Sequence, residues 1–228
     1  DRMIFHRYGD STESVIAREI IEEGRTLLQD ELKMEELPRK VASLEETYRS
    51  IKVRVGSRIF DFEFMSLLSY GDHFRFTRYA DGDPIVSTLN SRTVSSDKKQ
   101  EIAIAAVTAE LALILSGSCF DTDAHGGNGK LSGDTFKRFD PGGVNIEAPS
   151  KEDLLFLGEM IFSGLQQAQK PKDLVQALYG ILREQYESGT KPPIYIRRVQ
   201  KALNALGGHF KVLNEKDFMT AVAAALPH

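Results

Sequence analysis

The sequence is poor in features that would place it quickly. It holds a single cysteine, Cys119, which excludes an intrachain disulfide and fits a reducing compartment. No apolar run reaches membrane-spanning length: the longest, residues 102–115, is interrupted by Thr108 and Glu110. There is no surplus of positive charge. With 29 Lys and Arg against 33 Asp and Glu, the formal net charge is −4, which disfavours a nucleic-acid partner. Internal repeats and low-complexity tracts are absent. No signal-peptide pattern opens the chain, and a start at Asp1 rather than Met points to a fragment.

What is present describes an ordinary soluble globular protein. The 228 residues, 41% hydrophobic and 27% charged, are enough for one large domain or two small lobes around a real core. Residues 3–8 read as a short strand, followed by a helix over 13–34 on the spacing of Val15, Ile16, Ile20, Leu27 and Leu28. Pro38 ends that helix or starts the next segment, and residues 43–48 read as a helical turn. Residues 51–55 and 58–65 alternate around Gly56-Ser57, so they predict a hairpin. A further strand is expected between the loop signals at Tyr70-Gly71-Asp72 and Asp81-Gly82-Asp83-Pro84. Phe60, Phe62, Phe64, Phe74 and Phe76 are expected in the core.

Ser96-Asp97 should cap a helix that runs to about Ser116 and is buried on most sides. Gly117 stops it. Two short strands are expected around Ser132-Gly133-Asp134. After Pro149 the chain turns helical, with a capping box at Ser150 and Asp153, a helix opened by Pro171, a helix over 194–206 stopped by Gly207-Gly208, and a last one capped by Asn214. Strand-rich sequence before about residue 90 and helices after it predict an α+β fold. Its two parts are a small mixed region over 1–90 and a helical region over 91–228.

The chemistry concentrates in Asp121-Thr122-Asp123-Ala124-His125-Gly126-Gly127-Asn128 and, across the expected strand pair, Asp140-Pro141-Gly142-Gly143. Asp123, Asn128 and Asp140 bring oxygen-bearing side chains to one turn and one hairpin. Such a set can hold a hard cation and leave one carboxylate to orient a hydroxyl. Asp121, Asp123 and His125 would also suit a metal hydrolase, but no second His cluster supports that. His6, His73, His209 and His228 are scattered and read as solvated.

The string Asp123-Ala124-His125-Gly126-Gly127-Asn128 resembles the D-x-H-x-G-N loop of atypical kinases, aminoglycoside phosphotransferases and UbiB-like proteins, and the D-R-H-x-x-N loop of phosphoinositide kinases. Asp140-Pro141-Gly142 resembles the D-F-G element, with Pro141 in place of Phe. The resemblance covers roughly residues 95–190. It implies a protein-kinase-like fold with a helical large lobe and a small lobe that is incomplete if its first strands precede Asp1. It implies ATP and Mg²⁺ or Mn²⁺ as cofactors. Asp123 would orient the attacking hydroxyl, His125 would brace the loop or touch the phosphate, and Asn128 and Asp140 would bind the metal. Neither a G-x-G-x-x-G loop nor a V-A-I-K lysine is present. On the resemblance, Arg7 stands in for the lysine, with Glu19, Glu22 or Glu23 as its acidic partner, and residues 62–69 would meet adenine.

The implied acceptor is a protein or a phosphoinositide, and the unusual motifs are similar to those of bacterial effector kinases. The implied location is the cytosol, or a host cytosol after secretion. A pseudokinase or anion-binding module without turnover stands as the alternative, and a variant transferring AMP as a third. Separately, Lys191, Arg197, Arg198 and Lys201 surround a helix start, which suits a phosphorylated ligand such as an inositol phosphate. An ordinary solvated helix face explains them as well.

Overall fold

The computed structural model describes residues 35–71, 74–141, 144–146, 149–167 and 194–225. The strand expected at 3–8, the helix at 13–34 and the helix opened by Pro171 lie outside the described residues. Arg7, Glu19, Glu23 and Lys191 lie outside them too.

The protein is α+β, with strands prominent early and helices prominent late. The first described helix, α1 (Leu37–Arg49), is longer than the turn expected at 43–48. Pro38 sits in its first turn, where a missing N–H costs nothing, so it begins the helix rather than interrupting it. Leu37, Val41, Leu44 and Tyr48 form its buried stripe. Strands β1 (Lys52–Val55) and β2 (Arg58–Phe64) form the expected antiparallel hairpin, in register Val53↔Phe60. Phe60, Phe62 and Phe64 point inward from β2.

Strands β3 (Leu67–Gly71) and β4 (Phe74–Thr77) make a separate two-stranded ribbon. Phe74 and Phe76 are 51% and 61% exposed there, so the expectation that they are core fails. Alternation along a strand sorts side chains onto two faces; it does not supply a layer to cover either face. Asp83-Pro84, read as loop, forms the short strand β5 (Asp83–Pro84), and helix α2 (Ile85–Asn90) follows at once.

Helix α3 (Ser96–Leu115) is the central element. Its cap is Ser95, one residue earlier than expected: the Ser95 hydroxyl accepts the Lys98 N–H at 3.3 Å. Gly117 at φ +67° then turns the chain, a conformation that favours glycine. Strand β6 (Phe120–Asp121) leads into a single 3₁₀ turn (Gly126–Asn128). Strands β7 (Gly129–Ser132) and β8 (Thr135–Arg138) form the next hairpin, and β9 (Val144–Asn145) returns to pair with β6.

The main sheet has the order β1-β2-β8-β7-β5, antiparallel except where β2 runs parallel to β8. It therefore takes strands from both sides of residue 90. Phe62 and Phe136 stack across the parallel pair with ring centroids 4.7 Å apart. Helix α4 (Lys151–Gln167) starts at the expected capping box: the Asp153 carboxylate accepts the Ser150 N–H at 2.9 Å, and the Ser150 hydroxyl accepts the Asp153 N–H at 3.1 Å. Helix α5 (Ile194–Ala205) breaks at Leu206, but Gly207-Gly208 does not end helical structure; it opens the short helix α6 (Gly207–Phe210). Helix α7 (Glu215–Ala225) is capped by Asn214, whose side chain accepts the Asp217 N–H at 2.9 Å. Helices α6 and α7 pack on α3, as does β1, so α3 is wrapped by apolar neighbours. No helix among the described residues is long and apolar enough to cross a membrane.

Candidate functional site

The acidic loop hangs between β6 and β7, directly after the buried helix α3. Its path is fixed by its own polar groups. The Asp121 carboxylate accepts the Asp123 N–H at 2.9 Å, the His125 N–H reaches the Asp123 carbonyl at 2.7 Å, and the Asn128 N–H reaches the His125 carbonyl at 3.0 Å. Imidazole Nδ1 of His125 accepts the Gly127 N–H at 2.9 Å, which caps the 3₁₀ turn. A Cβ on Gly127 would lie 2.7 Å from that ring, so glycine is needed here for close approach. With Nδ1 accepting, the neutral ring carries its proton on Nε2. Nε2 stands 3.8 Å from the Asp123 carboxylate, beyond hydrogen-bond reach.

The hairpin β7–β8 folds back so that the Phe139 N–H donates to the Asn128 carbonyl at 3.1 Å. This brings Asp140 beside the loop. The Asn128 side-chain amide donates to the Asp123 carbonyl at 3.3 Å and to the Asp140 carbonyl at 3.1 Å. Both neighbours are acceptors, so the nitrogen must face them, and Oδ1 is the amide atom left for a donor or a cation. The structure thus joins Asp123, Asn128 and Asp140 through one amide. Asp123 and Asp140 are both partly exposed.

Asp140 sits at φ 56° immediately before Pro141. It is a non-glycine residue in the left-handed region, and a following proline restricts it further. Such strain persists where the surroundings fix it, and it clusters at functional positions. The Asp140 carboxylate is paired with Arg75 on β4. Arg75 was not singled out in the sequence. The contact joins the β3–β4 ribbon to the hairpin end, and no local pattern announces a contact of that range.

Beneath the loop lies a second group of charges that the sequence reading did not assemble. Arg138, on β8, is 3% exposed and Glu110, on α3, is 2% exposed. Arg138 bonds the Glu110 carboxylate at 2.8 Å, the Ala124 carbonyl at 2.6 Å and the His125 carbonyl at 3.1 Å. The Tyr48 hydroxyl lies 2.8 and 2.9 Å from the two Glu110 oxygens. Burial opposes the Arg138 charge, but Glu110 and then Tyr48 more than offset it, so the guanidinium is held above its ordinary range. A usable signal was present. Glu110 is the lone acid within residues 102–115, and Arg138 shares the strand phase of Phe136.

Asp121 is also buried. Burial pushes its carboxyl up to about 7, against the Asp123 N–H and Arg138, which lower it, while Glu110 and Asp123 raise it further. His209, expected in solvent, is 1% exposed; the short helix α6 that carries it packs on α3. Burial, with Arg138 second, holds its imidazole down to about 3. The Leu206 carbonyl favours the charged ring slightly, yet neither ring nitrogen makes a bond of ordinary geometry. Burial pushes the Cys119 thiol up to about 12, which removes it as a nucleophile at neutral pH.

Metal ligation has limited support from the chain alone. Among the described residues no group of three or more His, Cys, Asp or Glu side chains is placed to hold an ion. One carboxylate and one amide oxygen, Asp140 and Asn128, fit a hard cation that brings most of its oxygens with it, as Mg²⁺ does when it enters with phosphates. A cavity of about 430 Å³ opens between α1 (Pro38, Val41, Ala42, Glu45) and residues 67–70 of β3. Tyr70, on its wall, is the cross-strand partner of Arg75. Of the basic helix residues, Arg197, Arg198 and Lys201 lie on α5 and are partly buried.

No protein-family model matches the chain, and no curated protein matches it.

Proposed function

We propose that this protein is an ATP-dependent phosphotransferase of kinase-like fold, with a hydroxyl as acceptor. The observation that carries the reading is the Asn128 amide, which holds the main chains of Asp123 and Asp140 on either side of it. The three residues that would supply the oxygen donors are thereby tied to one another, on a loop that follows a buried helix. Phosphoryl transfer asks mainly for positioning and charge neutralisation, so a small set of groups is enough.

In this reading Asp123 accepts the proton of the acceptor hydroxyl as its oxygen attacks the γ-phosphorus. The bond from that phosphorus to the bridging oxygen breaks, and ADP leaves. A divalent ion held by Asn128 and Asp140 would neutralise charge on the phosphates. His125 keeps the loop in shape through Gly127, with Nε2 3.8 Å from the Asp123 carboxylate. Arg75 takes the part assigned from sequence to Arg7: released from Asp140, its guanidinium grips phosphate oxygens. The cavity beside β3 suits the nucleoside. Its volume is in the range of small-ligand sites, and residues 67–69 belong to the segment expected to meet adenine. The acceptor is a protein, with a phosphoinositide as the other class, in the cytosol or in a host cytosol as an effector.

Incubation with γ-labelled ATP and Mn²⁺ tests the reading. Wild-type protein should incorporate or transfer label, and Asp123→Ala and Asp140→Ala should not. Absence of label under every metal condition contradicts it. A second reading, nucleotide or anion binding without turnover, is favoured by the Arg75–Asp140 pair, which occupies the carboxylate a metal would need. Tight ATP binding without label transfer would select it. AMP transfer is separated from both by the mass added to the product.

A further inference from the structure

We infer that Arg138, held by Glu110 and Tyr48, is a positioning residue that fixes the loop carrying Asp123, His125 and Asn128. Its catalytic meaning rests on the phosphotransferase reading; the anchoring itself rests on geometry alone. Strand β8 turns Phe136 and Arg138 inward, so a guanidinium occupies a place where an apolar side chain would normally sit. A buried charge without partners is strongly unfavourable, and a buried ion pair is seldom better for stability than well-packed apolar groups. The retained charge therefore points to geometry rather than stability.

The partners agree with that. Two of the three groups that Arg138 bonds are the consecutive carbonyls of Ala124 and His125, which lie between Asp123 and the 3₁₀ turn. The third, Glu110, stands on the largely buried helix α3 and is clamped from α1 by Tyr48. Arg138 is also two residues before Asp140, so one side chain ties the loop to the strand that delivers the other half of the site. A planar fork can reach three separate acceptors, which a lysine ammonium on the same backbone does not reproduce.

The test uses the full chain with Tyr48→Phe and Arg138→Lys. Tyr48→Phe deletes one hydroxyl and keeps the ring that packs on Phe64. Two quantities are read: amide hydrogen exchange of residues 121–128 against the β1–β2 hairpin, and steady-state kinetics with ATP. Loop exchange should rise at least about tenfold while the hairpin holds. At the same time kcat should fall about 10- to 100-fold and KM for ATP should move less than about twofold, since a small misplacement of the loop affects the reacting geometry most. Loop exchange that stays at the wild-type rate, or rises only in step with the hairpin, overturns the inference. If Arg138→Lys does not fold, Tyr48→Phe decides. If the wild type transfers no phosphate, the phosphotransferase reading fails, and the exchange result still decides the anchoring.

Discussion

The loop from Asp121 to Asn128 has an inner and an outer face, and they are built differently. On the inner face Arg138, Glu110, Tyr48 and Asp121 are all buried, and their bonds are short and mutually supporting. On the outer face Asp123, His125, Asn128 and Asp140 are partly open, and the bonds their side chains make run to main-chain groups or to the half-exposed Arg75. Low effective dielectric makes the inner bonds stiff and makes any missing partner expensive. The outer groups keep a polar, accessible setting, with the Asp140 carboxylate paired to Arg75 and the Asn128 amide bonded to two carbonyls. A rigid base under a sparsely bonded surface is what a preorganised site requires.

Single substitutions can break this contrast. The largest effect is expected on the outer face. Asp123→Ala should lower phosphoryl transfer by about 10²- to 10⁴-fold, as loss of a general base does. Its stability in urea should change by less than about 1 kcal/mol, because the side chain is partly solvated. The inner face should behave in the opposite way. Arg138→Met leaves Glu110 buried without its cation and should cost about 3–5 kcal/mol in urea unfolding. A comparable stability loss in Asp123→Ala would erase the distinction between the faces.

The pH dependence sharpens it. Asp121 is raised from 3.8 to about 7, so the native state binds more protons than the unfolded chain between those values. Its contribution falls as pH rises through that window, by up to about 1.4 kcal/mol per pH unit. His209 is lowered from 6.5 to about 3, so the unfolded chain binds more protons there. Stability from His209 is complete above 6.5 and is lost as pH falls towards 3. The two slopes oppose each other over most of the acid range. Asp121→Asn keeps an acceptor for the Asp123 N–H; it should melt higher than wild type at pH 8 and show no gain at pH 4. The smallest effect is expected at the rim: Arg75→Ala should raise KM for ATP by about tenfold, in line with loss of one charge-assisted contact. Arg75→Lys should recover part of it.

Much of the framework was legible because local patterns act locally. Period-two alternation gave the β1–β2 hairpin, Ser150 with Asp153 gave the start of α4, and Asn214 gave the start of α7. Apolar content marked α3 as buried. The main chains of Asp123 and Asp140 meet at the Asn128 amide through a loop and a hairpin, which are short-range features. The failures have a common physical cause: burial depends on what the rest of the chain lays over an element. Phe74 and Phe76 alternate properly but lie on a ribbon outside the main sheet. His209 follows a glycine pair and looks solvated, yet it is buried on α6, which packs on α3. Arg75 meets Asp140, and Arg138 meets Glu110, only through tertiary folding. Pro38, which the sequence allowed either to end one helix or to start the next segment, lies in the first turn of α1, because its role depends on where that helix begins.

The most direct measurement is a crystal structure with Mn²⁺ and a non-hydrolysable ATP analogue. A Mn²⁺ anomalous peak is expected about 2.1 Å from Asn128 Oδ1 and an Asp140 carboxylate oxygen. Arg75 should have moved from Asp140 onto phosphate, with the γ-phosphorus facing Asp123. A nucleotide bound away from these residues, or Mn²⁺ held without Asn128 and Asp140, would contradict it.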